Sequence, residues 1–115
     1  MLYVNADDLG WTGEITDRIL TCYRQGRIHS ASAMTFMKDS ERAAELAREI
    51  NLPVGLHLNL TQDFTGETVA PNLRDQHRSV AAYLKAWKGN QILFNPFFAF
   101  PERLLANLIA DHTEA

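Results

Sequence analysis

From Leu2 to Leu60 the chain alternates strand, helix, strand, helix, strand, with connections of only a few residues. Strands joined through helices cannot form hairpins; they run parallel, linked by right-handed crossovers. The order predicts an α/β fold of parallel (β/α) units. Leu2 to Asp7 reads as the first strand. Ile15, Ile19, Leu20 and Tyr23 recur at helical spacing over about residues 13–25, with Thr12 placed to cap the helix and Gly26 to stop it. Ile28 to Phe36 reads as a second strand rich in small residues. A helix over about 40–50 follows, capped by Asp39 or Ser40 and filled with Ala43, Ala44, Leu46 and Ala47. Val54 to Leu60 is the third strand. Residues 61–77 read as a loop and about 78–88 as a helix carrying Val80, Tyr83, Leu84 and Trp87. Pro96 breaks the aromatic run Phe94 to Phe100, and Pro101 opens a last helix to about residue 111.

A chain of 115 residues, 46% hydrophobic, is enough for one domain with its own core, and residues 1–115 are read as one. The net charge of −3 leaves no basic surplus to neutralise phosphates, so nucleic acid is not an expected partner. No apolar run is long enough to span a bilayer, and no basic segment followed by an apolar stretch marks a signal peptide; a cytoplasmic location is the expectation. Cys22, the single cysteine, has no partner for an internal disulfide and reads as a packed apolar residue.

Two polar clusters interrupt this apolar framework. Asn5-Ala6-Asp7-Asp8-Leu9-Gly10 closes the first strand. A strand-end aspartate is often a cap or turn former, but one suffices for that, and buried acids need a compensating charge. In Gly55-Leu56-His57-Leu58-Asn59-Leu60-Thr61 the side chains alternate faces, with Leu56, Leu58 and Leu60 on one and His57 and Asn59 on the other. A half-exposed strand shows the same alternation. In a parallel sheet, where both faces are normally covered, it suggests polar residues turned into a lumen or site and leucines packed under helices. Sites in such folds gather at the carboxyl ends of strands, where Asp7, Asp8 and His57 lie. An aspartate and a histidine can hold a divalent cation while the other aspartate acts as general base; the sequence does not distinguish the two acids or decide between magnesium and zinc.

These two segments, together with Gly26-Arg27-Ile28-His29-Ser30-Ala31-Ser32-Ala33-Met34, resemble the YdjC-like carbohydrate deacetylase family in order and spacing, over residues 1 to about 65. The resemblance implies a distorted, TIM-like (β/α) barrel, of which this chain corresponds to the N-terminal part, and divalent-metal-dependent removal of acetyl groups from N-acetylated sugars or oligosaccharides. It implies Asp7 as catalytic base and Asp8 and His57 as metal ligands. Asn59 either orients a ligand, contacts sugar or hydrogen-bonds its loop. Trp11 either stacks on a sugar ring or packs at the core. The family's third ligand comes from a downstream Asp-x-His-x-His type of segment that is not found here; Asp111-His112 has the wrong spacing, and His29 and His77 read as surface residues. Strand edges left open by a partial barrel lead to the expectation of a homo-oligomer. The alternative is a non-catalytic, self-associating or sugar-binding remnant with an incomplete metal site.

Overall fold

The computed structural model describes residues 1–89 and 110–113. Its elements are β1 (Asn5–Leu9), α1 (Gly13–Arg24), β2 (Ser30–Met34), α2 (Ser40–Glu49), β3 (Val54–His57) and α3 (Pro71–Gly89). The strands form one sheet in the order β1-β2-β3, and both pairings are parallel. Ile19 and Leu20 of α1 and Ala43 and Ala47 of α2 share one buried cluster with Leu9, Ala31 and Leu52. Both crossover helices therefore lie on the same face. Sequential parallel strands with helices on one side are the wall of a (β/α) barrel, and the described residues fit part of one; they do not close it. No helix among the described residues is long and apolar enough to cross a membrane.

The helices begin where local chemistry allows. The Thr12 hydroxyl accepts a 3.3 Å hydrogen bond from the Ile15 amide at the start of α1. Asp39 precedes α2 but does not cap it with its side chain, because the carboxylate is engaged by Arg42, with Nε at 2.7 Å. Burial by itself would push the Asp39 carboxyl up; hydrogen bonds from Arg42 and Thr16, with the Arg42 charge, carry it below its ordinary value. Arg42 also donates to Asp17 at 3.0 Å, tying α2 to α1.

Three expectations are corrected. β1 starts at Asn5, not Leu2. Leu2 and Tyr3 are exposed, and the Val4 amide donates to Nδ1 of His29 instead of to a strand carbonyl. β3 ends at His57, so Leu58, Asn59 and Leu60 fall in the following turn. Of the expected leucine face, Leu56 and Leu58 are exposed, whereas Leu60 packs against a cluster that contains Met34 and Phe64. Register places Val54 beside Ala31 and Leu56 beside Ala33, on the helix side, but α1 and α2 pack over β1 and β2. Val54 and Leu56, on the third strand beyond them, stay 45% and 43% exposed.

The fourth correction is the start of α3, at Pro71 within the expected loop. Leu73, His77, Val80, Ala81 and Leu84 form its inward stripe, and counting the histidine as polar hides the first two turns of that stripe. Pro71 sits at the first helical position, where its missing N–H costs nothing. Leu73 and Val80 join Met34, Met37, Phe64 and Val69 in a second buried cluster, with Trp11, Phe36, Leu60 and Leu84 packed around it. The Arg74 guanidinium holds the loop below through the carbonyls of Phe64 (2.5 Å) and Gly66. The aromatic run Phe94 to Phe100 and nearly all of the helix expected from Pro101 lie outside the described residues; Ala110 to Thr113 are helical.

His77 is not a surface residue. It is 1% exposed, tilted against Phe64 with ring centroids 4.0 Å apart, and its Nε2 lies 3.1 Å from the Asn59 carbonyl. A carbonyl only accepts, so Nε2 carries the proton. Burial pushes the imidazole below its ordinary value of 6.5; the Asn59 hydrogen bond opposes this without reversing it. The unfolded chain thus binds the proton more tightly than the folded one. Stability contributed by neutral His77 is complete above the unfolded value and is lost as pH falls from there through the lower folded value. Thermal melts should show a midpoint that drops as pH is lowered from about 6.5, with a shallower dependence in His77→Phe.

Gly66 packs so closely that an added Cβ would stand 2.9 Å from the Phe36 carbonyl oxygen, whereas one added at Gly55 would meet nothing within 4 Å. Gly66→Ala should lose about 1–3 kcal/mol in urea denaturation. Gly55→Ala should be neutral or stabilising by up to about 1 kcal/mol.

Candidate metal centre at the carboxyl end of the sheet

Regular alternation from Ala6 would turn Asp7 away from the helices, Asp8 towards them and Leu9 away again. Instead, Ala6 and Leu9 both pack into the helix-side cluster. The ladder shows how. Ala6 pairs with Ala31 and Leu9 with Ala33, so three steps along β1 match two along β2. That is a bulge with one extra residue. It is taken up at Asp8, whose φ is 69°, in the left-handed region. Asp7 and Asp8 are both released from the helix side, while Leu9 remains fully buried. Gly10, at φ 91°, completes the turn; a Cβ there would lie 3.1 Å from the Ser40 Cα, so only glycine fits without displacement.

On the far side of β2, His57 pairs with Met34 in the last register position of β3. The bulge carries Asp8 towards it, and Asp8 Oδ1 lies 3.3 Å from His57 Nδ1. The pair is half-buried, with side chains 36% and 31% exposed. Nδ1 itself is buried and makes no hydrogen bond. The 3.3 Å approach is therefore not an aligned N–H···O hydrogen bond.

That orphaned nitrogen is a direct test of whether a cation fits. Zinc bonds of about 2.0–2.2 Å at the tetrahedral angle put neighbouring ligand atoms about 3.3–3.6 Å apart, so a single ion can take both donors with little movement. The donor set, one imidazole and one carboxylate, suits a borderline divalent metal. Among the described residues no third histidine, cysteine or acid joins the pair to make a group of three.

The other expected residues are distributed differently. Asp7 is exposed on the open face, where its Oδ1 accepts a 3.0 Å hydrogen bond from Asn5 Nδ2. Asn59, expected beside His57 on a strand, is 3% exposed in the turn and holds its own loop. Its Oδ1 accepts from the amides of Thr61 and Gln62, at 3.3 and 2.9 Å, and its Nδ2 donates to the Gln62 carbonyl at 2.8 Å. The strand ends two residues earlier, so the face shared with His57 is not extended to it. Trp11 is partly buried against the second cluster. His29 is half-buried, stacked on Tyr3 with centroids 5.0 Å apart, and His112 is buried edge-on to Phe36 at 5.3 Å. Neither His29 nor His112 belongs to the Asp8–His57 pair. Ser30, Ser32 and Asn5 form a polar group around Asp7 that the sequence reading missed. Its signal was the alternation Asn-x-Asp in one strand beside Ser-x-Ser in the next.

A family model described as YdjC-like protein matches residues 1–96. A carbohydrate deacetylase of Vibrio cholerae is 34% identical over 87 residues, which span 73% of this chain and 33% of the relative. A chitooligosaccharide deacetylase of Proteus mirabilis is 38% identical over 72 residues, 62% of this chain and 27% of the relative. A human carbohydrate deacetylase is 37% identical over 73 residues, 64% and 22% of the two chains. The chain thus spans a third or less of the length of these relatives. No solved structure matches.

The left-handed backbone at Asp8 sets an expectation independent of chemistry. Glycine adopts that conformation freely, whereas alanine is strained there by about 1–2 kcal/mol. In urea denaturation without metal, Asp8→Gly should be more stable than Asp8→Ala by about 1 kcal/mol. Equal stability would mean that the bulge is not at Asp8.

Proposed function

The chain belongs to the YdjC-like protein family, and from that premise we propose that it acts in the metal-dependent removal of acetyl groups from N-acetylated sugars or oligosaccharides. The observation that carries the reading is the 3.3 Å approach of Asp8 Oδ1 to a His57 Nδ1 that has no hydrogen bond, at the carboxyl end of a parallel sheet. The names of the relatives, carbohydrate deacetylase and chitooligosaccharide deacetylase, support the substrate class.

In this reading Asp8 and His57 hold a divalent cation. When bound, the cation supplies a Lewis acid that polarises an acetamide carbonyl and acidifies a water. Asp7 has the role of base. Its carboxylate takes a proton from the attacking water as the new C–O bond forms at the carbonyl carbon. The same proton passes to the sugar nitrogen as the C–N bond breaks, leaving a free amine and acetic acid, which ionises to acetate by releasing its proton to solvent. The geometry supports this division of labour. Asp8 is the acid that the bulge brings against His57, and Asp7 stands on the open face, accessible to substrate and water.

Calorimetric titration with zinc or magnesium should show weaker binding in Asp8→Asn and in His57→Ala, by about tenfold or more. Asp7→Asn should keep metal affinity while losing acetate release from N-acetylglucosamine oligomers by about 100-fold or more. Unchanged metal affinity in both Asp8→Asn and His57→Ala would refute the site.

A further inference from the structure

The open face of β1 and β2 carries a square of four polar side chains. Asn5 and Asp7 are two apart on β1 and share a face; Ser30 and Ser32 do the same on β2, with Asn5 paired to Ser30 in the ladder. Three hydrogen bonds knit the square, and all run through Asn5. Its Oδ1 accepts from the Ser30 hydroxyl at 2.6 Å. Its Nδ2 donates to Ser32 Oγ at 2.9 Å and to Asp7 Oδ1 at 3.0 Å.

Chemistry fixes the orientation of the amide. Serine hydroxyls donate or accept, so neither decides which end of Asn5 is nitrogen. An ionised carboxylate only accepts, so the end facing Asp7 must be the NH2 group. Oδ1 then faces Ser30, whose hydroxyl turns to donate. Both amide protons are used, one on each strand, and the amide plane is held at three points. This is a large investment of hydrogen bonds on an exposed face, where each bond competes with water and contributes little to stability.

We propose that Asn5 is a positioning residue for Asp7: clamped between Ser30 and Ser32, it holds Oδ1 of the carboxylate and leaves Oδ2 to face the reacting water. The aspartate following Asp7 lies in the left-handed bulge, so the backbone on that side does not by itself fix where the Asp7 carboxylate points. Asn5 supplies the missing restraint from two residues upstream, within the regular part of the strand. The kinetic consequence rests on the deacetylase reading above, whereas the clamp itself does not.

Two measurements on the full chain separate the two. The first is nuclear magnetic resonance of the Asn5 side-chain amide. Both protons should exchange slowly with solvent, and the signal should move in Asp7→Ala and in Ser32→Ala. An amide that exchanges freely, or that ignores both substitutions, overturns the proposal whatever the activity.

The second is kinetics of acetate release with zinc present. Asn5→Ala should lower kcat by about 10- to 100-fold, the cost of a misplaced reacting group, with KM and metal affinity unchanged. Ser30→Ala and Ser32→Ala, which remove one bond each and keep Asn5, should lower kcat by about 2- to 10-fold; they also serve if Asn5→Ala fails to fold. Undiminished kcat in all three, or a loss that follows metal affinity, overturns the proposal. If the wild-type chain releases no acetate while the Asn5 amide responds to Asp7→Ala, the deacetylase reading falls and the clamp stands.

Discussion

One extra residue in β1 governs the geometry at the carboxyl end of this sheet. Leu9 must be buried, since it anchors the cluster shared by both crossover helices. Two consecutive acids precede it, and neither can enter that cluster without a compensating charge. A regular strand would turn one of them inward. The bulge resolves the conflict by inserting a residue between Ala6 and Leu9, so that both ends of the segment satisfy the core and both acids leave it. The geometry of the acid–histidine pair then depends on packing. Asp8 meets His57 across β2 because Leu9 is seated.

The other half of the pair is held from below. β3 is short and lies beyond the two helices, so helix packing alone does not fix its end. The turn after it does. Asn59 closes that turn with three side-chain hydrogen bonds, and its carbonyl accepts from His77 on α3. His77 leans on Phe64, and Phe64 belongs to the cluster that also contains Met34, the register partner of His57. The chain of contact runs from α3 through the turn to the strand end. Asn59 thus supports the position of His57 through the backbone.

Much of this was legible in the sequence, for identifiable reasons. The strand and helix order follows from apolar periodicity and fixes parallel pairing, because helical connections exclude hairpins. Asp7, Asp8 and His57 stand out because acids and a histidine in apolar strands need an explanation. The first half of α3 was hidden. Its inward stripe uses a histidine that pays for burial through a carbonyl and an aromatic neighbour, and no count of apolar residues registers that. The exposed Val54 and Leu56 of β3 misled for the opposite reason: alternation marks a face, but whether a helix covers the face depends on how far neighbouring elements reach. The square around Asn5 was written in two strands at once, as Asn-x-Asp and Ser-x-Ser. It becomes visible only when register sets Asn5 beside Ser30.

The backbone strain in the described residues is distributed in a way that bears on function. Asp8, Phe36 and Asn51 are the non-glycine residues with positive φ. Asn51 follows the end of α2, where asparagine commonly adopts this conformation. Asp8 and Phe36 are different, for each sits at the carboxyl end of a strand, the side of the sheet where the acid–histidine pair lies. Phe36 is offset by its packing on Phe64 and His112 and by the Gly66 amide, which donates to its carbonyl at 2.8 Å. Asp8 has no such apolar compensation, because its side chain is half exposed and faces a histidine nitrogen without a hydrogen bond. Glycine would relieve the backbone at that position, and Leu9 would remain buried. A carboxylate kept where glycine would be easier is strain retained for the side chain, and that side chain stands 3.3 Å from His57 Nδ1.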